Sequence, residues 1–176
     1  MDFDRINYEE FFGCVNATNT TQMKSNTFKT FRTHIQEKSF AKWSDDQLVY
    51  VGDHKDGLDF LSTDTSDPFP RYEMKGMLKM FNKNGTTKVV TMKNFRGENK
   101  VFERTFDYIF LVDTENMSIA LSDWQTAEKR HYFTESSPVV KVKFYPGDYE
   151  MIRTNVMPST KSITAGAILD SIDHIL

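Results

Sequence analysis

The chain has 176 residues, of which 39% are apolar and 27% charged, with only 8 Gly and 5 Pro. This composition is typical of one folded domain and excludes a low-complexity chain. A single cysteine, Cys14, excludes an intramolecular disulfide and a cysteine-based zinc or iron–sulfur site, which favours a reducing compartment. The N-terminal residues lack the order of a signal peptide, and no apolar run reaches the roughly 18 residues of a membrane span. We therefore expect a cytoplasmic protein with no membrane partner.

Helices are predicted in the first part of the chain, residues 1–44. Two sets of apolar residues recur at helical spacing, one around Phe11 and one from Gln22 to Phe40. Each set predicts an amphipathic helix, and the polar residues from Asn16 to Thr21 predict a break between the two helices.

A sheet is predicted over residues 47–145. The β-rich segments are 47–51, 57–61, 71–80, 86–95, 106–113, 117–121 and 139–145. The near-continuous apolar run at 106–113 predicts a central strand that is buried on both faces. A closing helix is expected at 162–176. We therefore expect a single domain over residues 1–176, of class α+β, or α/β if the segments around Met92 and Gln125 are helical.

Three residues near the middle of the chain suit a metal site that activates a water molecule. Alternate side chains of a strand share a face, so Glu73 and Lys75 point the same way. If Ser62 to Pro70 is a hairpin loop, Asp59 lies on the neighbouring strand and faces Glu73 across the ladder. Two such oxygen donors suit Mg²⁺, which keeps several waters, one of which can be the nucleophile. Lys75 can then accept a proton from that water or orient it.

The segments Gly57-Leu-Asp59-Phe60 and Glu73-Met74-Lys75 resemble the motifs of the PD-(D/E)XK nuclease superfamily, the fold of most type II restriction endonucleases. The resemblance implies Mg²⁺-dependent hydrolysis of DNA phosphodiester bonds. It also implies that Asp59, Glu73 and the main-chain carbonyl of Met74 are metal ligands and that Lys75 lies beside the attacking water.

The same resemblance, which spans residues 47–121, implies a central mixed β-sheet flanked by N-terminal helices and a C-terminal helix. A homodimer is expected, because a twofold protein cuts both strands of a palindromic site symmetrically. One departure is visible in the sequence. The family usually places a helix after the E-x-K motif, whereas residues 86–95 are equally typical of a strand.

Basic residues are concentrated between Arg71 and Arg104, where nine basic and three acidic residues give a local charge of +6 in a chain of net charge −3. A basic stretch in an acidic protein is expected where a polyanion binds. We expect double-stranded DNA to pass here. The candidate DNA-binding residues are Lys88, Lys93, Arg96, Lys100 and Arg104. The alternative is a solvated pair of strands with outward lysines.

Two polar residues of the second predicted helix allow more than one interpretation. His34 can be an upstream metal ligand, although a surface or capping role explains it too. Glu37 can supply a further carboxylate, although a solvated helix face is the simpler interpretation.

Two other function classes remain open. One is a non-enzymatic, lipocalin-like β-barrel that holds a small ligand. The other is a small viral structural or assembly protein, in which Asp59, Glu73 and Lys75 form only a surface salt-bridge set. The nuclease hypothesis requires Asp59 and Glu73 to converge on one exposed cleft beside Lys75.

Overall fold

The computed structural model describes residues 1–19, 29–52, 57–64, 69–92, 101–134 and 139–160. The helices in these ranges are a 3₁₀ helix at Phe3–Arg5, α1 at Tyr8–Thr18, α2 at Lys29–Lys42 and α3 at Trp124–Arg130. The strands are β1 at Leu48–Tyr50, β2 at Phe60–Ser62, β3 at Arg71–Met77, β4 at Val90–Met92, β5 at Tyr108–Asp113, β6 at Ser118–Asp123, β7 at Tyr132–Phe133, β8 at Val140–Val142 and β9 at Glu150–Arg153.

Helix α1 begins after Asn7, whose side-chain oxygen accepts a hydrogen bond from the backbone N–H of Glu10 at 3.3 Å. The acidic residues of the first turn also complement the helix dipole. The expected polar break at Asn16 is wrong, because α1 continues to Thr18. Thr18 is buried, and its hydroxyl donates to the carbonyl of Val15 at 2.9 Å. A side-chain hydrogen bond inside the helix thus lets a polar residue belong to the packed face.

The main sheet has six strands in the order β1-β2-β3-β5-β6-β9. Strands β3 and β5 run parallel and all other neighbours antiparallel, so the sheet is mixed, as expected. Strand β5 lies inside the sheet with residues 109–113 buried, which confirms the predicted central strand. The sequence does not predict β9, because charged residues flank only two apolar ones there. Pairing with β6 makes this segment a strand.

Strands β4, β8 and β7 form a separate antiparallel sheet. Strand β4 belongs to the connection between the parallel strands β3 and β5, a place where a helix is usual. The described parts of this connection, residues 78–92 and 101–107, contain a strand and no helix. In these two ranges, the helix that usually follows the E-x-K motif in the PD-(D/E)XK superfamily is therefore absent. Met92 is the last residue of strand β4, and Gln125 lies in helix α3.

The main sheet has an apolar core on each face. On one face, Met74 and Phe110 pack against α1 and α2, and the rings of Phe110 and Phe40 are 4.9 Å apart. On the other face, Ile109 and Leu111 pack against the three-stranded sheet and α3. The chain is thus a mixed α and β structure in which the first two helices cover one face and the small sheet covers the other.

The six strands form an open sheet with β1 and β9 at opposite edges, which does not support the barrel alternative. The sheet extends to Arg153, beyond the predicted end at residue 145. The closing helix expected at 162–176 lies outside the described residues. None of the described helices has the length and apolar character needed to cross a membrane.

Candidate active site

The strand register brings Asp59 and Glu73 together. Phe60 is opposite Tyr72 in the β2–β3 pair, so the preceding residue, Asp59, is opposite Glu73. The backbone of Asp59 is held on both sides. Its N–H donates to the carbonyl of Tyr72 at 3.0 Å, and its carbonyl accepts from the N–H of Val51 at 2.7 Å. The antiparallel pairing predicted from the sequence is therefore confirmed.

The edge of β3 that faces β2 is open beyond Tyr72, because no further pairing with β2 occurs among the described residues. The Asp59 carboxylate occupies this gap, where its Oδ2 accepts a hydrogen bond from the N–H of Met74 at 2.8 Å. The carbonyls of Arg71 and Met77 both accept hydrogen bonds on the β5 side. Backbone groups alternate along a strand, so the carbonyl of Met74 points to the same side as its N–H, toward Asp59.

Glu73 and Lys75 point away from helices α1 and α2. Their Cα partners are Ile109 and Leu111, which belong to the opposite core. The Nζ of Lys75 lies 3.3 Å from Oε1 of Glu73. The Lys75 side chain is 27% exposed and the Glu73 side chain only 5%, so the lysine connects a buried carboxyl with solvent.

The second oxygen of Glu73, Oε2, is buried and accepts no hydrogen bond from an N–H or O–H donor in the described part of the chain. The carboxyls of Asp59 and Glu73 lie close enough to hydrogen-bond to each other only when one of them is protonated. A buried carboxyl oxygen without a donor is costly, and native structures contain few of them. Such an oxygen is the kind of atom that a bound cation would satisfy.

Burial raises the pKa of both carboxyls. The pKa of Asp59 is raised to about 7, first by burial and then by the charge of Glu37. The pKa of Glu73 is raised to about 8, first by burial and then by the charge of Asp59, while the ammonium of Lys75 opposes the shift. The site therefore holds more carboxyl groups than one ammonium can neutralise, and it takes up protons near neutral pH.

Glu37 of α2 lies near Asp59, whose pKa its charge helps to raise, and is only 8% exposed. Its Oε2 accepts a hydrogen bond from the hydroxyl of Tyr50 at 3.1 Å, and that hydroxyl lies 2.7 Å from Nδ1 of His34. The interpretation of Glu37 as part of a solvated helix face is therefore wrong. A sequence signal for its burial is the spacing to the buried Phe40, since residues i and i+3 share a helix face. Tyr50 carries no such signal.

Asp59 is 8% and Glu73 4% exposed. These two carboxyls therefore do not lie in an exposed cleft of the kind that the nuclease hypothesis required. Their burial also does not fit a surface salt-bridge set. Among the described residues, no group of three or more His, Cys, Asp or Glu side chains is arranged to hold a metal ion. A donor set of Asp59, Glu73 and the Met74 carbonyl contains only two such side chains, a number compatible with Mg²⁺ that retains waters.

The predicted DNA-binding residues are only partly described. Lys88 is exposed, with its Nζ 3.4 Å from the carbonyl of Leu78. Arg104 is half exposed and binds Asp107 at 3.1 Å. The other three candidates, Lys93, Arg96 and Lys100, lie outside the described residues.

Taken together, the geometry joins two buried carboxyls, a main-chain carbonyl and a lysine at one open strand edge. Such a set can bind a hard cation and exchange protons near neutral pH. No protein-family model, no curated protein and no solved structure matches this chain.

Proposed function

We propose that the chain is a Mg²⁺-dependent endonuclease of the restriction type that hydrolyses DNA phosphodiester bonds, with the fold of the PD-(D/E)XK superfamily. One observation carries the proposal. Asp59 and Glu73 are buried opposite each other at the open edge of β3, and Lys75 contacts Glu73 at 3.3 Å. The mixed sheet, with α1 and α2 packed on one face, is compatible with that fold.

The donor atoms at this edge support the choice of Mg²⁺. Carboxylate and carbonyl oxygens are the ligands that hard divalent cations prefer. The proposed ligands are the carboxylates of Asp59 and Glu73 and the carbonyl of Met74. The buried Oε2 of Glu73 has no N–H or O–H donor in the described part of the chain. Burial, and after it the charge of a neighbouring carboxylate, raises the pKa of both Asp59 and Glu73. A divalent cation would satisfy the oxygen and balance the charge.

The chemistry of phosphodiester hydrolysis divides between the metal and the protein. When bound, Mg²⁺ polarises the phosphate and makes a coordinated water more acidic. Lys75 is half buried beside Glu73, so its ammonium can orient the attacking water from the solvent side. The water oxygen forms a bond to phosphorus and releases a proton to solvent, while the bond to the leaving sugar oxygen breaks and that oxygen takes up a proton from solvent.

The local charge supports DNA as the substrate. The stretch from Arg71 to Arg104 carries +6 in a chain of net charge −3, and it contains both Glu73 and Lys75 of the proposed site. Basic side chains near the reacting group are needed where a phosphate backbone passes. We propose Lys88, Lys93, Arg96, Lys100 and Arg104 as contacts of double-stranded DNA, and a homodimer as the form that cuts both strands.

The direct test is cleavage of several plasmids of differing sequence in Mg²⁺ and in EDTA. The single variants Asp59→Ala, Glu73→Ala and Lys75→Ala are compared with the wild type. We expect discrete fragments in Mg²⁺ and none in EDTA. Each variant should lose at least about 100-fold in rate, since a positioned catalytic group typically contributes this much or more.

The matched control is Glu115→Gln, which removes a carboxylate that is 47% exposed and lies 3.9 Å from Lys79. This variant should cleave like the wild type. Intact plasmids in Mg²⁺, or fragments that persist in the folded Asp59 and Glu73 variants, would contradict the proposal.

A further inference from the structure

Two arginines share one carboxylate where β3 and β5 begin. Oδ2 of Asp107 accepts from the backbone N–H of Arg71 at 2.8 Å and from its Nε at 3.3 Å. Oδ1 of Asp107 lies 3.2 Å from Nη2 of Arg71 and 3.1 Å from Nη2 of Arg104. Two guanidinium groups on one carboxylate leave a net charge of +1 on this cluster of Arg71, Asp107 and Arg104.

The arginine cluster lies next to the proposed catalytic residues on the same face of the sheet. Arg71 precedes Glu73 by two residues in β3, so their side chains project from one face, about 7 Å apart along the strand. The backbone N–H of Asp107 donates to the carbonyl of Arg71 at 2.8 Å, which ties the β5 side of the cluster to β3. A phosphate group bound by the arginine cluster would lie beside the scissile phosphate, which the proposed function places at Glu73 and Lys75.

The guanidinium groups are both accessible and held in place. The Arg71 side chain is 31% exposed and the Arg104 side chain 50%, whereas Asp107 is only 18% exposed. A planar guanidinium presents donors in a fixed fork that matches two oxygens of a phosphate. Because Asp107 already orients both groups, little side-chain entropy remains to be lost on binding.

We propose that Arg71 and Arg104 bind a backbone phosphate of the substrate strand that flanks the scissile phosphate. This inference rests on the proposed nuclease function and adds to it a defined subsite. Asp107 is a positioning residue there, which fixes the two arginines without touching the substrate.

An internal control for this cluster exists on helix α3. Arg130 binds Asp148 with Nε–Oδ2 at 2.8 Å and Nη2–Oδ1 at 3.2 Å, and its side chain is 33% exposed. This pair has the same chemistry as the Arg71–Asp107 contact. It carries no net charge, however, and the carbonyl of Asp148 accepts a hydrogen bond from Ser122 of β6, a strand that β5 separates from β3.

The test is the salt dependence of DNA binding, measured by fluorescence anisotropy with a labelled duplex and Ca²⁺ in place of Mg²⁺. The variants are Arg104→Gln, Arg71→Gln and Arg130→Gln. A plot of log K against log salt concentration gives the number of phosphate contacts. Each contact to duplex DNA contributes about 0.9 to the slope. We expect each of the first two variants to lose about one unit of slope and the Arg130 variant to keep the wild-type value.

The outcomes separate this subsite from the nuclease proposal. A wild-type slope in both Arg71→Gln and Arg104→Gln, from a protein that cleaves DNA, would overturn the subsite alone. A wild type that neither binds the duplex nor cleaves plasmids would overturn the proposed function. If Arg71→Gln fails to fold, Arg104→Gln decides, because that arginine is half exposed and outside the strands.

Discussion

Among single residues, Glu73 is a side chain that is costly to bury. It is 4% exposed, has only Lys75 as an ion-pair partner among the described contacts, and faces the carboxyl of Asp59. A buried carboxylate that is not fully compensated favours its protonated form, and the folded chain is less stable when it is ionised. The burial of this carboxyl therefore costs stability at the strand edge where we propose the cation site.

The raised pKa values predict that the metal-free protein loses stability as the pH rises. A carboxyl whose folded pKa lies above its unfolded value contributes most below the unfolded value, near 4, and this contribution is lost as pH rises through the folded pKa. The stability loss extends to about pH 7 for Asp59 and to about pH 8 for Glu73. We expect the free energy of unfolding, from denaturant titrations in EDTA, to fall between about pH 5 and pH 8.

The matched variant for this prediction is Glu73→Gln, which should flatten the pH profile and raise the free energy of unfolding at pH 8. Asp107 and Asp148 stabilise the fold in the opposite pH direction. Burial alone would raise their pKa values, but hydrogen bonds from their arginine partners lower them. Their contribution is lost only at acid pH, below this range. A wild-type stability that rises with pH above 5 would contradict the assignment.

At the scale of elements, β5 organises the fold. It is parallel to β3 on one side and antiparallel to β6 on the other. Phe110 of this strand is fully buried against the helices, and its ring lies 4.9 Å from that of Phe40 and 5.3 Å from that of Tyr72. These contacts hold α2, and with it Glu37, against the sheet beside the candidate site.

Truncation of this core residue should therefore cost much more stability than truncation of an exposed one. Phe110→Ala should lower the free energy of unfolding by about 3–5 kcal/mol, the usual range for a buried aromatic residue. Leu78→Ala, at a side chain that is 54% exposed, should change it by less than about 0.5 kcal/mol. Equal effects of the two substitutions in denaturant titrations would show that β5 does not organise the core.

At the scale of the whole molecule, sequence patterns predict local features and miss features that depend on distant contacts. The apolar run of β5 and the opposition of Asp59 and Glu73 follow from periodicity and a short hairpin, and the structure confirms both. The burial of Glu37 follows only in part. Its spacing to Phe40 places it on the buried face of α2, but its position near Asp59 depends on how α2 packs against the sheet. The open edge of β3 is likewise invisible in the sequence, since it arises where β2 stops pairing.

Calorimetric titration with Mg²⁺ near neutral pH shows whether Asp59 and Glu73 form a divalent-cation site. The wild type should bind Mg²⁺ and release protons, because both carboxyls have raised pKa values and must ionise to bind a cation. Proton release is measured by repeating the titration in two buffers with different ionisation enthalpies. Glu115→Gln should bind like the wild type, and Asp59→Asn and Glu73→Gln should not bind. Undetectable binding by the wild type, or unchanged binding by the Asp59 and Glu73 variants, would contradict the account.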